Sequence, residues 1–334
     1  MNLYRTELHR FMRRRLTLLF GLCSLVGLLL LAFMVAATSR NAPTPDELAF
    51  AEEQAAMYQA DLDRCRAEED YFEQEWGYNA NADYPELGHA EVCEELLAWG
   101  TDPVDHYPYG VFRFAEDGVL ILIGVTIVAG LLVMLLAASL IGAEWSSGGM
   151  SNLLVWHPNR WKVWGAKLGA ALTMCAAAVG ALLALAFPLF YAAAALRGEV
   201  GELDAQWWEG ALAVLARTAA LTLGMTVAGS ALAMLGRHTA VAGGVIAGYL
   251  VIGDLLVRLA GVAFKVQYPD LFSLYTWVTV WIIGDTQLYS YTDLPEEMSD
   301  PMTLTIPAAG LLIGGVVLVL TALATWSFTR RDVT

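Results

Sequence analysis

Long apolar runs alternate with polar stretches along the chain, and six of these runs are long enough to cross a membrane as helices. Each exceeds about 18 residues, the length at which an α-helix begins to span the hydrocarbon core, and none carries more than two ionisable side chains. The first run is longer than the apolar core of a signal peptide, which predicts a retained span. The predicted spans are residues 16–38, 118–143, 168–196, 211–236, 239–264 and 304–328.

Two stretches near the ends of the spans predict helical elements that do not cross. In residues 1–15, Tyr4, Leu8 and Phe11 share one helical face and arginines occupy the other, which is typical of a helix lying in the headgroup layer. Residues 271–284 are apolar and aromatic but too short to span, which favours a re-entrant element.

The polar segment 39–117 predicts two helices of its own. The sequence "TPDE" at residues 44–47 combines a capping box with a proline at the first helical position. The helix that starts there is expected to run to about Trp76, and a second helix is expected from about His89 to Trp99.

Basic residues outside the spans predict the orientation, because Lys and Arg in short loops stay on the cytoplasmic side. In a six-span arrangement, the N-terminal arginines, the basic residues of segment 144–167, Arg237 and the C-terminal arginines all fall on one side. Both termini, segment 144–167 and the tail 329–334 are therefore predicted to be cytoplasmic. The segments predicted on the outer side are 39–117, 197–210 and 265–303.

The formal charge of −15 arises almost entirely in segment 39–117, which holds 20 acidic residues and four arginines. Such an excess keeps an external domain soluble, and a site for a cation or a cationic peptide is the alternative interpretation. Cys65 and Cys93 share this segment. If it faces an oxidising compartment, they are expected to form a disulfide that joins its two helices. No metal site is expected, because the segment has only two, poorly spaced histidines.

The sequence lacks the residues that several classes of enzyme require. The sequence contains no phosphate-binding loop of the G-x-x-x-x-G-K-[ST] type, so the chain by itself is not expected to bind a nucleotide. None of its five histidines lies in the middle of a predicted span, which argues against haem ligation and against an intramembrane Ser/His protease. We therefore predict a non-enzymatic protein with no cofactor of its own and no nucleic-acid partner.

Three charged residues lie inside predicted spans: Arg217, Asp254 and Arg258. A charge at that depth is costly unless it is paired, so each is expected to face the protein interior. Asp254 and Arg258 are four residues apart on one helix and can pair, and Arg217 is expected at a depth similar to that of Asp254. The three predict a cluster that is either a static tie between helices or a gate or substrate contact.

A polar connection, residues 142–167, separates the second and third spans within the stretch "IGAEWSSGGMSNLLVWHPNRWKVWGAKL". Gly142 and Glu144 stand at the membrane exit, a Ser/Gly turn follows, and Pro158 ends a short helix-compatible run before basic residues lead back to the membrane. This stretch resembles the permease subunit of an ABC transporter of the type-2 export branch, in which a Gly-x-Glu motif precedes a coupling helix. The six-span layout agrees with that resemblance along the whole chain.

The resemblance implies an all-α polytopic membrane protein with six transmembrane helices, an N-terminal interfacial helix, a cytoplasmic coupling helix, a small helical extracytoplasmic domain and a re-entrant element before the last span. It implies an exporter in the plasma membrane with a drug, a lipid-like molecule or a peptide as cargo. The implied partners are separate ABC ATPase subunits that bind ATP and Mg²⁺, a second permease copy or a homologous permease, and membrane lipid.

The residues expected to couple such a permease to its ATPase are Gly142, Glu144, Asn152, Leu153, Leu154 and Arg160. The three central residues are expected to enter a groove on the ATPase. Glu144 is expected to pair with a basic group or to cap its own helix, and only a contact with the partner would be a coupling role. A loop anchored at the membrane surface by its tryptophans is the plain structural alternative. The alternative function is a membrane sensor or immunity protein that binds a cationic antimicrobial peptide through its acidic outer segment.

Overall fold

The computed structural model describes residues 3–40, 42–77, 79–82, 84, 87–107, 110–288 and 302–330. The predicted tail beyond residue 330 and residues 289–301 of the predicted loop 265–303 lie outside the described residues. The chain forms two compact units. The first comprises Met1–Ala32, Ala115–Tyr191 and Gly201–Thr334, and the second comprises Phe33–Phe114 and Ala192–Val200.

Helices account for nearly all of the regular structure. In chain order they are α1 (Leu3–Met12), α2 (Arg15–Thr38), α3 (Pro45–Ala67), α4 (Tyr71–Trp76), α5 (His89–Leu97), α6 (Phe114–Ser146), α7 (Gly149–Trp156), α8 (Arg160–Arg197), α9 (Ala205–Gly236), α10 (Thr239–Gly248), α11 (Asp254–Ala263), α12 (Leu274–Ile283) and α13 (Ile306–Arg330). Two short antiparallel strands, β1 (Thr286–Leu288) and β2 (Met302–Leu304), pair with Thr286 opposite Leu304.

Six helical stretches in the described residues are long and apolar enough to cross a membrane, which confirms the predicted number. They are α2, α6, α8, α9, the continuous stretch of α10 and α11, and α13. A π-helical segment, Tyr249–Gly253, joins α10 to α11. Helices α6 and α8 both extend beyond their predicted spans, so Arg160, Lys162 and Lys167 lie on the first turns of α8 rather than in a loop.

Helix α9 is packed against α13, α10 and α12. Thr218, Thr222, Thr226 and Ser230 form a buried polar stripe with a spacing of four residues. Each of these hydroxyls donates a hydrogen bond to a backbone carbonyl of α9 itself. The stripe is therefore satisfied within its own helix, as an apolar environment requires.

In the second unit, Thr44 caps α3 through the predicted capping box with Glu47. The helix ends at Ala67 rather than near Trp76, because the backbone of Glu68 is extended. Residues 68–70 are all acidic. Negative side chains are unfavourable at the C-terminal end of a helix, because the helix dipole is negative there. A new helix, α4, then covers residues 71–76, and the second predicted helix is α5.

Candidate functional site

The polar connection folds into a short helix held between two membrane-length helices. Helix α6 ends at Ser146, and Gly148 then adopts a left-handed conformation with φ of 70°. A residue with a β-carbon is disfavoured there, so the Ser/Gly turn fixes where α7 begins. After Pro158, the side chain of Asn159 accepts a hydrogen bond from the backbone N–H of Lys162 at 3.0 Å and caps the start of α8.

Helix α7 has one face on the protein and one face free. Met150 is fully buried in the apolar cluster that contains Val163 and Trp164 of α8, and Leu153 and Leu154 pack partly against the same cluster. The opposite face exposes Asn152, Val155 and Trp156, with Val155 78% and Trp156 77% accessible. These three positions have the spacing of one helical face.

The exposed face therefore differs from the predicted one in two residues. Of the predicted stretch Asn152–Leu154, only Asn152 is exposed, and the two leucines face the chain's own core. Val155 and Trp156 were missed by the sequence analysis, although their spacing of three and four residues from Asn152 was a usable signal.

Glu144 pairs with a lysine of the same chain. The Nζ of Lys167 lies 2.5 Å from Oε2 of Glu144 and 3.1 Å from Oε1 of Glu7. The side chain of Lys167 is fully buried, and those of Glu7 and Glu144 are almost so. This buried ion cluster joins α1, α6 and α8 directly beside α7. Pairing with a basic group, one of the roles predicted for Glu144, is the contact observed here, and the basic group is a lysine of the same chain.

Arg10 completes the buried ion cluster from its solvent side. Its Nη1 lies 3.2 Å from Oε1 of Glu144 and 3.5 Å from Oε1 of Glu7. The contact with Glu144 is an ion contact without hydrogen-bond geometry, because Oε1 of Glu144 has no hydrogen-bond partner in the described residues. Burial lowers the pKa of Arg14, and the nearby Glu144 carboxylate opposes that shift. The two carboxylates therefore face three cations, which are Lys167, Arg10 and, at longer range, Arg14.

Helix α1 is packed on the bundle through this cluster. Glu7 and Phe11 are its buried residues, and the hydroxyls of Tyr4 and Thr173 of α8 lie 2.7 Å apart. Phe11 packs in a cluster with Leu136, Leu140 and other residues of α6 and α8. The inner face of α1 therefore centres on a carboxylate, which the predicted face of Tyr4, Leu8 and Phe11 did not include.

Gly142 and Arg160 hold the ends of the connection. A β-carbon at Gly142 would lie 2.4 Å from the backbone nitrogen of Thr239, so the glycine permits close contact between α6 and the start of α10. Arg160 donates from Nη1 to the carbonyl of Phe328 at 2.7 Å and of Thr329 at 3.3 Å, at the end of α13. A cation is favoured at this helix terminus by its dipole.

A comparison with protein families identifies the family of the chain. The model of the ABC-2 family transporter protein matches residues 1–333. The chain belongs to the ABC-2 transporter family. No curated protein and no solved structure matches it. The family and the six apolar helices make the chain a multi-pass membrane protein and a membrane subunit of an ABC transporter. Such subunits are usually not catalytic themselves and generally work with ABC ATPase partners.

Two of the three charges within the spans of this ABC-2 protein are paired. The Nε of Arg258 lies 2.9 Å from Oδ2 of Asp254, and its Nη1 lies 2.8 Å from Oδ1 of Asp270. Ser273 donates a hydrogen bond to the other oxygen of Asp254. The group ties α11 to the segment just before α12, directly after the π-helical segment, where bulges are often functional.

Arg217 stands apart from that pair. Its buried Nε has no hydrogen-bond partner in the described residues, and its backbone carbonyl accepts a hydrogen bond of 2.8 Å from the Trp281 indole of α12. The structure therefore joins Arg217 to α12 through its backbone and does not pair its side chain with Asp254.

The acidic segment of the ABC-2 protein contains the predicted disulfide between Cys65 and Cys93, which links α3 to α5. His89 adjoins it, with its Nε2 2.6 Å from the carbonyl of Cys65 and its Nδ1 3.1 Å from Oδ1 of Asn81. The histidine nitrogen and the two sulfurs lie within 4.8 Å of one another. In the disulfide the sulfurs are bonded to each other, whereas metal binding requires thiolates.

Proposed function

We propose that this chain is the permease subunit of an ATP-driven exporter, in which separate ATPase subunits bind ATP and Mg²⁺ and act on helix α7. The observation that carries the proposal is the exposed face of α7, formed by Asn152, Val155 and Trp156. An exposed helix with apolar anchors at this spacing is the form in which helices enter grooves on partner proteins.

The contacts behind α7 support a transmitting role. Met150 packs α7 onto α8, and the buried ion cluster of Glu7, Glu144 and Lys167 joins the helices on either side of α7 to α1. Packed elements of this kind move as rigid bodies. We infer that closure of the ATPases around ATP displaces α7 and carries α1, α6 and α8 with it, which drives alternating access.

The distribution of charge supports the proposed orientation of the chain in the membrane. Basic residues cluster at α1, at the start of α8 and in the turn before α10, whereas residues 39–117 are strongly acidic. Under the positive-inside rule, both termini and α7 are cytoplasmic and the disulfide-bonded segment is external. The proposed exporter moves a drug, a lipid-like molecule or a peptide outward, between this chain and a second copy or a homologous permease.

The test is co-purification of an ABC ATPase with the tagged full-length chain, compared with the variant Val155→Asp. The aspartate places a charge in the proposed apolar contact without entering the chain's own core. The matched control is Val104→Asp, at an exposed position in the acidic segment, 46% accessible. We expect Val155→Asp to lose most of the ATPase and Val104→Asp to retain it. Equal retention by both variants contradicts docking at α7.

A further inference from the structure

An apolar groove runs along α2 on the side that faces α6 and α8. It consists of two cavities of about 550 Å³ and 330 Å³. The two share Ser24, Ala129, Leu132 and Leu182 in their walls, which makes them one continuous groove. It remains open because only Leu28 and Ala32 of α2 are buried.

The groove has the length of one membrane leaflet. It follows α2 from Thr17 to Leu31, which at a rise of about 1.5 Å per residue is roughly 21 Å. Half of a bilayer, including its headgroup region, is roughly 21 Å thick. The wall is apolar apart from Thr17, Cys23 and Ser24. The hydroxyls of Thr17 and Ser24 donate to the backbone carbonyls of Phe11 and Phe20. The groove therefore suits one extended acyl chain.

Unpaired positive charge stands at one end of the groove. Phe11 and Thr17 line that end, and Arg13, Arg14 and Arg15 lie between them in the chain, where α1 ends and α2 begins. In the described part of the chain none of these three arginines forms an ion pair, whereas Arg10, one turn earlier, pairs with two carboxylates. The charges of Arg13 and Arg15 are therefore available to another partner, whereas Arg14 also faces the carboxylates of Glu144 and Glu7.

We propose that the groove binds one acyl chain of an anionic phospholipid, whose phosphate is held by Arg13 and Arg15. A zwitterionic lipid would make the same chain contacts but would lack the net attraction to these two cations. Each basic residue near the surface favours an anionic headgroup by roughly fivefold. This lipid site is independent of the transport function proposed above.

The headgroup is tested with the full-length chain in bilayer nanodiscs that contain a photoactivatable phosphatidylglycerol or a phosphatidylcholine with the same labelled acyl chain. We expect phosphatidylglycerol to label peptides of α2 and α6 at least about tenfold more strongly. The double variant Arg13→Gln, Arg15→Gln is expected to reduce this labelling to the level of phosphatidylcholine. Lys162→Gln, an exposed cation away from the groove, is expected to change nothing.

The acyl chain is tested with Gly27→Leu, which fills the groove. A β-carbon at Gly27 meets no atom within 4 Å, so the leucine enters open space. Gly314→Leu is the matched control, because Gly314 is equally open and lies on α13. We expect Gly27→Leu to lose labelling by both lipids and Gly314→Leu to keep it. Equal labelling of the wild type by the two lipids, or labelling that persists in Gly27→Leu, overturns the proposal.

Discussion

Replacing Lys167 by methionine is expected to destabilise the protein severely, because it removes the only lysine of the buried ion cluster. Its Nζ lies 2.5 Å and 3.1 Å from two carboxylates, and its side chain is fully buried. In Lys167→Met, Glu7 and Glu144 face each other with only the half-exposed Arg10 in contact. Removing one partner of a buried ion pair costs about 3–5 kcal/mol, because the remaining charge is desolvated and unpaired.

The assay is thermal unfolding of the full-length chain in detergent at one fixed scan rate, since membrane proteins of this size rarely unfold reversibly. At roughly 2 °C per kcal/mol, the midpoint of Lys167→Met is expected to fall by roughly 6–10 °C. The matched control is Lys162→Met, an exposed lysine on the same helix, with an expected change below about 2 °C.

Neutralising the carboxylates as well separates charge from packing. The triple variant Glu7→Gln, Glu144→Gln, Lys167→Met is expected to be more stable than Lys167→Met, because no buried carboxylate is left without a counter-charge. If Lys167→Met and Lys162→Met unfold at the same temperature, or if the triple variant is the least stable of the set, the buried ion cluster does not hold α1 to the bundle.

Three further predictions use the same unfolding assay. Cys65→Ala is expected to lower the stability of the acidic segment by about 3–4 kcal/mol, because the disulfide closes a 28-residue separation; an unchanged midpoint would contradict this. Gly142→Ala is expected to cost about 1–3 kcal/mol by overpacking, whereas Gly165→Ala on α8, with nothing within 4 Å of its β-carbon, should cost nothing. Hydrogen bonds from the backbone N–H and the hydroxyl of Thr44 lower the pKa of Glu47, and Thr44→Ala removes only the hydroxyl. The stability that this variant loses should be larger at neutral pH than below that lowered pKa, where only the loss of the helix cap remains; a loss independent of pH would refute it.

The spans and the disulfide were predictable because their signals are local. Six apolar runs and a capping box at Thr44 are readable within one stretch of chain, and the two cysteines had no other partners in their segment. The break after Ala67 was missed because helical periodicity outweighed the acidic run that follows it.

The buried ion cluster was not predictable, because Glu7 meets Lys167 across 160 positions of sequence and nothing near either residue signals the other. The exposed face of α7 was predicted only in part, because Asn152 was named for it and Val155 and Trp156 were not. Two leucines were the natural apolar anchors in the sequence, but the burial of Met150 in the core turns them inward and leaves Val155 and Trp156 outside. Tertiary packing decides the exposed face of so short a helix.

Site-directed photo-cross-linking tests the central claim, that α7 is the contact with an ATPase, most directly. A benzophenone amino acid is placed at position 155 or, as the control, at position 104 of the full-length chain in its native membrane. We predict that position 155 cross-links to a protein whose peptides contain the G-x-x-x-x-G-K-[ST] loop of an ATPase, and that position 104 does not. Absence of that cross-link at position 155, or equal cross-linking from position 104, contradicts the account.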